Sequence, residues 1–408
     1  MRPATVLALF GPGLLLAATG VGAGDLATAA FAGGRLGTTV LWAAALGALL
    51  KFALTEGLAR WQLATGQSFL EGVSARLGRL WLWLFLPYLL LWSYCVGAAL
   101  ISACGVAAQA LWPLSEDASV GKRLWGVAHA LLGLVLVWFG GFRVFEWAMR
   151  LCVGLMVVVV IGTAVRLWPG MLEVTQGLWP QLPSSRDGVS WTLALIGGVG
   201  GTLTVLCYGY WMRAAGRQDV TALRITRLDL AAGYAMTALF AMAMVIIGSR
   251  VPVSGGGAGL MVDLGRALES ALGPGARWAF LIGAWGAMFS SLLGVWQAVP
   301  YLFADVCRVL ARAEVPPTAL ERSLPYRGYL LALATVPMLG LLFSFQGIQK
   351  LYAMVGAVFI PVLALALLLM NGRRAWVGAQ NNGLAAVATL VGALLFFLLL
   401  AMSGIAAS

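Results

Sequence analysis

The sequence predicts an all-α polytopic membrane protein, on three observations. Hydrophobic residues make up 61% of the 408-residue chain and charged residues only 10%, against roughly half and a quarter in a soluble domain. Mean hydropathy is +0.93, and the apolar residues fall into eleven runs of about the 20 residues that a bilayer core requires. Two of these runs are interrupted by glycine clusters, and they lie five runs apart. The same figures exclude a water-soluble enzyme, a disordered chain and a collagen-like chain.

In chain order the predicted spans are 4–33 (interrupted), 38–63, 80–111, 124–140, 144–168, 191–213 (interrupted), 228–250, 276–303, 327–345, 350–371 and 380–403. The first run lacks a basic stretch before it and continues past Gly20 into polar-punctuated helix, so it reads as a retained span rather than a cleaved signal. Residues 169–190, with Trp179, Pro180 and Pro183, read as an outer loop with an interfacial piece. Gly255–Gly257 and Pro274 mark a second outer loop, and residues 304–326, with Pro316, Pro317 and Pro325, read as a charged connector on the inner side. The expected division is a first five-span repeat over 1–168, a loop over 169–190, a second repeat over 191–371, and span 11 with the C-terminus over 372–408.

Basic residues set the expected orientation. With the N-terminus inside, the cytoplasmic segments hold fifteen Lys and Arg and the outer segments nine, while Lys51 and Arg60 fall within span 2. That bias predicts a multi-pass protein of the cell membrane with a cytoplasmic N-terminus. The formal charge of +11 is explained by arginines gathered beside anionic lipid, so no nucleic-acid partner is expected.

The interrupted spans carry the functional argument. Span 1 contains Gly20-Val21-Gly22-Ala23-Gly24-Asp25, and span 6 contains Gly197-Gly198-Val199-Gly200-Gly201-Thr202 followed by Thr204. Each glycine weakens a helix interior by about 1 kcal/mol relative to alanine. In lipid an unwound backbone is tolerated only where it lines a cavity or is buried in protein. Close helix packing would also use small residues, and for the span 6 cluster packing and function weigh about equally. Asp25 tips span 1 towards function, because a carboxylate near mid-membrane costs about 2.5–3.5 kcal/mol on insertion scales. A five-span separation is what two inverted five-helix repeats produce, with the breaks meeting at a substrate site near the bilayer midplane.

Around these breaks the sequence resembles the NRAMP (natural resistance-associated macrophage protein) divalent-metal transporters. Gly11-Pro12-Gly13-Leu14-Leu15 matches the start of the family's first span. Leu26-Ala27-Thr28, Gly33-Gly34 and Gly37-Thr38-Thr39-Val40-Leu41-Trp42 match the stretch after its break. Ala59-Arg60 through Ala64-Thr65-Gly66, Leu178-Trp179-Pro180-Gln181-Leu182-Pro183 and Phe289-Ser290-Ser291 match later segments. The resemblance implies a leucine-transporter-like 5+5 inverted repeat with an added eleventh helix, acting as a secondary transporter by alternating access.

The chain departs from the family where metal would bind. The family's span 1 break reads Asp-Pro-Gly-Asn, and here Gly22-Ala23-Gly24-Asp25 stands in its place. The Met-Pro-His of its span 6 falls on Thr204-Val205-Leu206, and the histidine further along falls near Trp211. The acidic pair of its span 3 has no match in Ser93–Gly97, and its span 10 amide is not evident in Lys350–Met370. A carboxylate, hydroxyls and carbonyls form a hard oxygen site suited to Mg2+ or Mn2+ rather than to softer transition metals. The expected substrate-binding residues are therefore Gly22, Ala23, Gly24, Asp25, Gly201 and Thr204, with Asp25, Thr204 and the Gly22 and Gly201 carbonyls as metal ligands. No resident cofactor is expected, only a transported or coupling cation.

A second reading keeps the fold and changes the cargo. The Gly-Ala-Gly break resembles the carboxylate-cradling break of amino-acid transporters, with Tyr94, Tyr208, Tyr210 and Trp211 as pocket walls and an amino acid or organic anion as substrate. An intramembrane enzyme is disfavoured, since the one histidine, His129, has no acidic partner in its own run and reads as a packing residue. The cysteines (Cys95, Cys104, Cys152, Cys207, Cys307) form no C-x-x-C pair and read as small core residues. Glu56 and Arg60 are four apart and read as a structural ion pair, whereas Lys51 and Glu56 are a loose five apart. Asp229 and Glu146 are expected to pair with Arg227 and Arg150 at span ends, and Ser290, Ser291 and Gln297 mark a polar stripe on span 8 that would suit a second ion site.

Overall fold

The computed structural model describes residues 11–22, 24–139, 142–251, 258–314 and 317–406. Helices occupy all eleven predicted positions. Among the described residues seven helical stretches are long and apolar enough to cross a membrane, and two more are bent pairs turning through 117° and 120°. In each pair one arm is a short helix, Met171–Gly177 after span 5 and Arg374–Val377 before span 11. Leucines and tryptophans at the start of span 3 (Leu80–Leu111) face outward, Leu80 at 69% and Trp83 at 59% exposure, as lipid-facing side chains should.

Local sequence explains the helix ends. Span 2 (Leu41–Thr65) stops at Gly66, which takes the left-handed conformation and donates its N–H to Gln62 O at 2.8 Å. Ser68 and Glu71 form a capping box for the short helix Phe69–Leu77. Pro274, read from sequence as a loop marker, is instead the first residue of span 8 (Pro274–Ala311), where its missing N–H has no helical partner to lose. Span 8 runs on into the expected connector, and a helix (Ala258–Leu272) follows Gly255–Gly257, which lie outside the described residues.

Small residues set the closest packing. A Cβ on Gly33 in span 1 would fall 2.2 Å from Val245 O in span 7 (Leu223–Arg250), and one on Gly248 would fall 2.2 Å from Ala30 O. The backbones of the two helices therefore touch at both crossings. Gly197 likewise brings the first half of span 6 to within the same distance of Ala353 O in span 10 (Phe345–Asn371). Both interrupted spans are thus buried inside the bundle against continuous helices.

Candidate functional site

Both interrupted spans are broken. In span 1 the helix Gly11–Gly20 ends, and the chain resumes as a π-helical turn, Gly24–Thr28, before the helix Ala29–Leu36. In span 6 the helix Arg186–Gly198 ends, a 3-10 turn covers Leu203–Cys207, and the helix Tyr208–Ala214 completes the crossing. The linker needs glycine: Gly200 and Gly201 take φ of 72° and 71° in succession, which L side chains rarely adopt. The breaks meet, since a Cβ on Gly20 would lie 2.8 Å from the Gly200 carbonyl carbon.

Asp25 sits at that junction, fully buried. Its Oδ1 accepts the Gly200 N–H at 3.0 Å, and its Oδ2 has no hydrogen-bond partner. Two further buried oxygens, one on each broken span, are unpartnered: Thr28 Oγ1 one turn after Asp25 and Thr204 Oγ1 beside Gly201. Buried polar atoms are nearly always satisfied, so such orphans mark a place prepared for something else. Among the described residues no three His, Cys, Asp or Glu side chains cluster, and a cation here would be held by one carboxylate, hydroxyls and backbone carbonyls.

The carbonyls differ from those expected. Gly22 O is taken by the Leu26 N–H at 3.0 Å, inside the resumed helix. The carbonyls released at the end of the first half of span 6 are those of Gly197 and Val199, and both accept from Lys51 Nζ, the first at 2.7 Å. Lys51 is 1% exposed. Gly47, one turn earlier in span 2, lets the two backbones approach, since a Cβ there would lie 2.9 Å from Ile196 O. Span 2 therefore brings an ammonium to the carbonyl side of the break, and span 1 brings a carboxylate to its N–H side.

The surrounding wall was only partly foreseen. Trp92 Nε1 donates to Thr202 Oγ1 at 2.7 Å, and the Trp92 ring lies 6.3 Å from that of Tyr352. Tyr234 approaches Gly200 and donates its hydroxyl proton to Thr55 Oγ1 at 2.8 Å, because Thr55 itself donates to Lys51 O. Ser291 packs directly on Gly22, as the polar stripe of span 8 suggested. Gln349, one residue before Lys350–Met370, is fully buried, donates to Ala99 O at 2.8 Å and leaves Oε1 unpartnered. Ala23 lies outside the described residues, as do the side chains of Glu146 and Arg150.

Two of the proposed aromatic walls have other work. Tyr208 donates to Asp229 Oδ2 at 3.2 Å and Tyr210 to Asp305 Oδ2 at 2.9 Å. Trp211 and Tyr210 line a separate cavity of about 460 Å3 with Tyr301 and Gln297. Tyr94 is half-buried in span 3, packed against the core.

Ion pairs tie down both ends of the broken helices. At one end Asp229 accepts from Gly13 N at 2.9 Å and Arg217 Nη1 at 2.7 Å, locking span 1 to span 7; its partner is Arg217, not the expected Arg227. Arg227 instead pairs with Glu56 at 2.7 Å, and Glu56 also lies 3.3 Å from Arg60, the pair foreseen from spacing. Asp305 accepts from Ser68, Tyr210 and Arg308, and Arg308 also reaches Glu71 at 2.5 Å. Burial pushes the Glu71 carboxyl up, but hydrogen bonds from Arg308 and the Ser68 N–H outweigh it and hold the group below its ordinary 4.5. A recess of about 850 Å3 opens at this end, lined by Arg79, Arg213, Arg217, Arg308 and Arg312 among others. At the opposite end Asp187, at the start of span 6, pairs with Lys350 at 2.7 Å and lies 3.8 Å from Arg35 at the end of span 1. Ion pairs bridge both ends, and Asp25 between them has zero exposure.

His129 is a satisfied packing residue, as expected: its Nδ1 contacts Trp125 O at 2.7 Å and its Nε2 accepts from Trp285 at 2.8 Å. Cys95, Cys104 and Cys207 are buried and Cys307 half-buried.

Comparison with known proteins agrees with this architecture. The Eremococcus coleocola manganese transporter superposes with a TM-score of 0.70 at 18% identity, covering 99% of this chain and 88% of that one. MhsT, solved in complex with L-phenylalanine, gives 0.62 at 15% identity, covering 96% and 98%, and Mhp1, a nucleobase-cation-symport-1 family transporter, gives 0.55 at 14%, covering 96% and 92%. The fold is therefore the leucine-transporter-like one. A divalent metal cation transporter MntH of Chromohalobacter salexigens is 28% identical over 265 residues, which is 60% of this chain and 57% of that protein, so the match spans a little over half of the relative's length. The model of the natural resistance-associated macrophage protein-like (Nramp) family matches residues 13–407, and the chain belongs to that family.

Proposed function

We propose that this protein carries a divalent metal cation, a hard ion such as Mg2+ or Mn2+, across the membrane by alternating access. The observation that carries the reading is the fully buried Asp25 with one oxygen unpartnered at the contact of two helix breaks. Asp25 and Thr204 supply the side-chain ligands, and backbone oxygens around Gly201 supply the rest. The relative named as a divalent metal cation transporter and the manganese transporter of the same fold support that cargo. Loss of the family's thioether removes the preference for soft metals.

Transport of an amino acid or organic anion is not favoured. The family model and the relative named as a divalent metal cation transporter support a metal cargo instead.

In this account residues 1–168 and 191–371 are the two inverted repeats, and spans 1 and 6 move between the bridged ends. The arginine-rich end carrying Gly13, Arg217 and Arg308 faces the cytoplasm, on the basic-residue bias, and the membrane is the cell membrane. Calorimetry on the purified full chain tests the reading. Mg2+ or Mn2+ should bind the wild type and fail to bind Asp25→Ala of unchanged melting temperature, whereas equal binding by both would overturn it.

A further inference from the structure

We infer that Lys51 is a tethered cation: its ammonium occupies a cation site made by the Gly197 and Val199 carbonyls, and incoming cargo must displace it. The inference rests on the metal-transport reading only for the identity of the cargo.

The two carbonyls terminate the first half of span 6, where the break removes the N–H groups that would otherwise bond them. They carry the negative end of that half-helix's dipole, the feature that attracts a cation to a broken transmembrane helix. Lys51 Nζ donates to both. An ammonium has three donors and no acceptor, so it satisfies carbonyls as a small monovalent ion would. The junction is then neutral as a whole, with the negative Asp25 on the Gly200 N–H and the positive Lys51 on the carbonyls one and three residues before it.

A brace between span 2 and span 6 would not need a charge. Thr55 and Tyr234 already join span 2 to span 7 at the same level with neutral hydroxyls, and Gly47 already lets span 2 lie against Ile196. Lys51 adds the one thing these contacts lack, a positive charge at 1% exposure inside the substrate junction. Two functions follow. The empty transporter closes without leaving Asp25 as the lone charge in the bundle. A divalent ion entering beside Asp25 meets a resident positive charge, so Lys51 weakens cation binding and sets how strongly charged a cargo must be to dislodge it.

The full chain in detergent tests this in two arms. In Lys51→Ala the tether is gone but the carbonyl site remains, and methylammonium should refill it. The melting temperature of the variant should rise with methylammonium, wild type should not respond, and tetramethylammonium, which cannot donate a hydrogen bond, should act on neither. In Lys51→Met, which keeps the bulk of the side chain for folding, Mn2+ should bind at least about tenfold tighter than in wild type, while Lys51→Arg should bind as weakly as wild type. Methylammonium rescue without any Mn2+ binding would keep the tethered cation and sink the divalent-cargo reading instead. A folded Lys51→Ala indifferent to methylammonium, together with a Lys51→Met that binds Mn2+ no tighter than wild type, would overturn the inference.

Discussion

The N–H of Gly200 donates to Oδ1 of Asp25 at 3.0 Å, across 175 residues of sequence, while the other oxygen of the same carboxylate has no partner. One bond thus ties the break of span 1 to the break of span 6, and one lone-pair face is left for a ligand. The proposed metal site rests on that unpartnered oxygen.

The conformation at Gly200 gives the first prediction. Alanine there would hold a left-handed backbone, and its Cβ would press on Tyr234 at 3.0 Å. Gly216 has a similar φ of 74° with open space around it. Gly200→Ala should lower stability by about 1–3 kcal/mol and abolish transport, whereas Gly216→Ala should show only the backbone part and transport normally. Thermal melts and uptake on the two variants check this.

The Asp229–Arg217 bridge, at 0% and 8% side-chain exposure, holds span 1 closed at the arginine-rich end. Breaking a buried pair by removing one partner costs about 3–5 kcal/mol. Asp229→Asn should therefore loosen span 1 and open that end. In a variant retaining Cys207 as its lone cysteine, maleimide labelling should speed up on adding Asp229→Asn.

The other end is held more loosely. Asp187 is 56% exposed in its pairs with Lys350 and Arg35, and exposed pairs are worth about 0.2–1 kcal/mol and weaken with salt. Asp187→Asn should leave the melting temperature nearly unchanged while altering the transport rate, and the difference from wild type should shrink at high ionic strength.

The Glu71–Arg308 contact predicts an acid-side loss. The folded state holds Glu71 below its ordinary 4.5, so the unfolded chain binds the proton more readily. The contact's contribution is complete above 4.5 and disappears as pH falls through the lower folded value. Glu71→Gln should flatten the melting temperature against pH on that acid side and nowhere else.

Much of this arrangement was legible in the sequence, and the reasons are local. A glycine cluster beside a carboxylate inside an apolar run identifies a break whatever surrounds it, so Asp25 and the span 6 glycines could be placed without coordinates. The partners of charged side chains could not. Arg227 and Asp229 are two apart, on different sides of a helix, so Arg227 turns to Glu56 and Asp229 to Arg217. Tyr208 and Tyr210 part in the same way, towards Asp229 and Asp305. Lys51 could be recognised as a buried charge, but its partners lie 146 and 148 residues away and are backbone carbonyls, which leave no trace in side-chain pattern. That the Gly22 carbonyl also accepts the Leu26 N–H could not be read from sequence, because it depends on the helix resuming within one turn.

Uptake into proteoliposomes tests the central claim most directly. Reconstituted wild type should accumulate Mn2+ or Mg2+, and Asp25→Ala, reconstituted at equal density with an unchanged melting profile, should fall to the leak of empty vesicles. Uptake by Asp25→Ala at the wild-type rate would contradict the assignment of the paired breaks as the path of the ion.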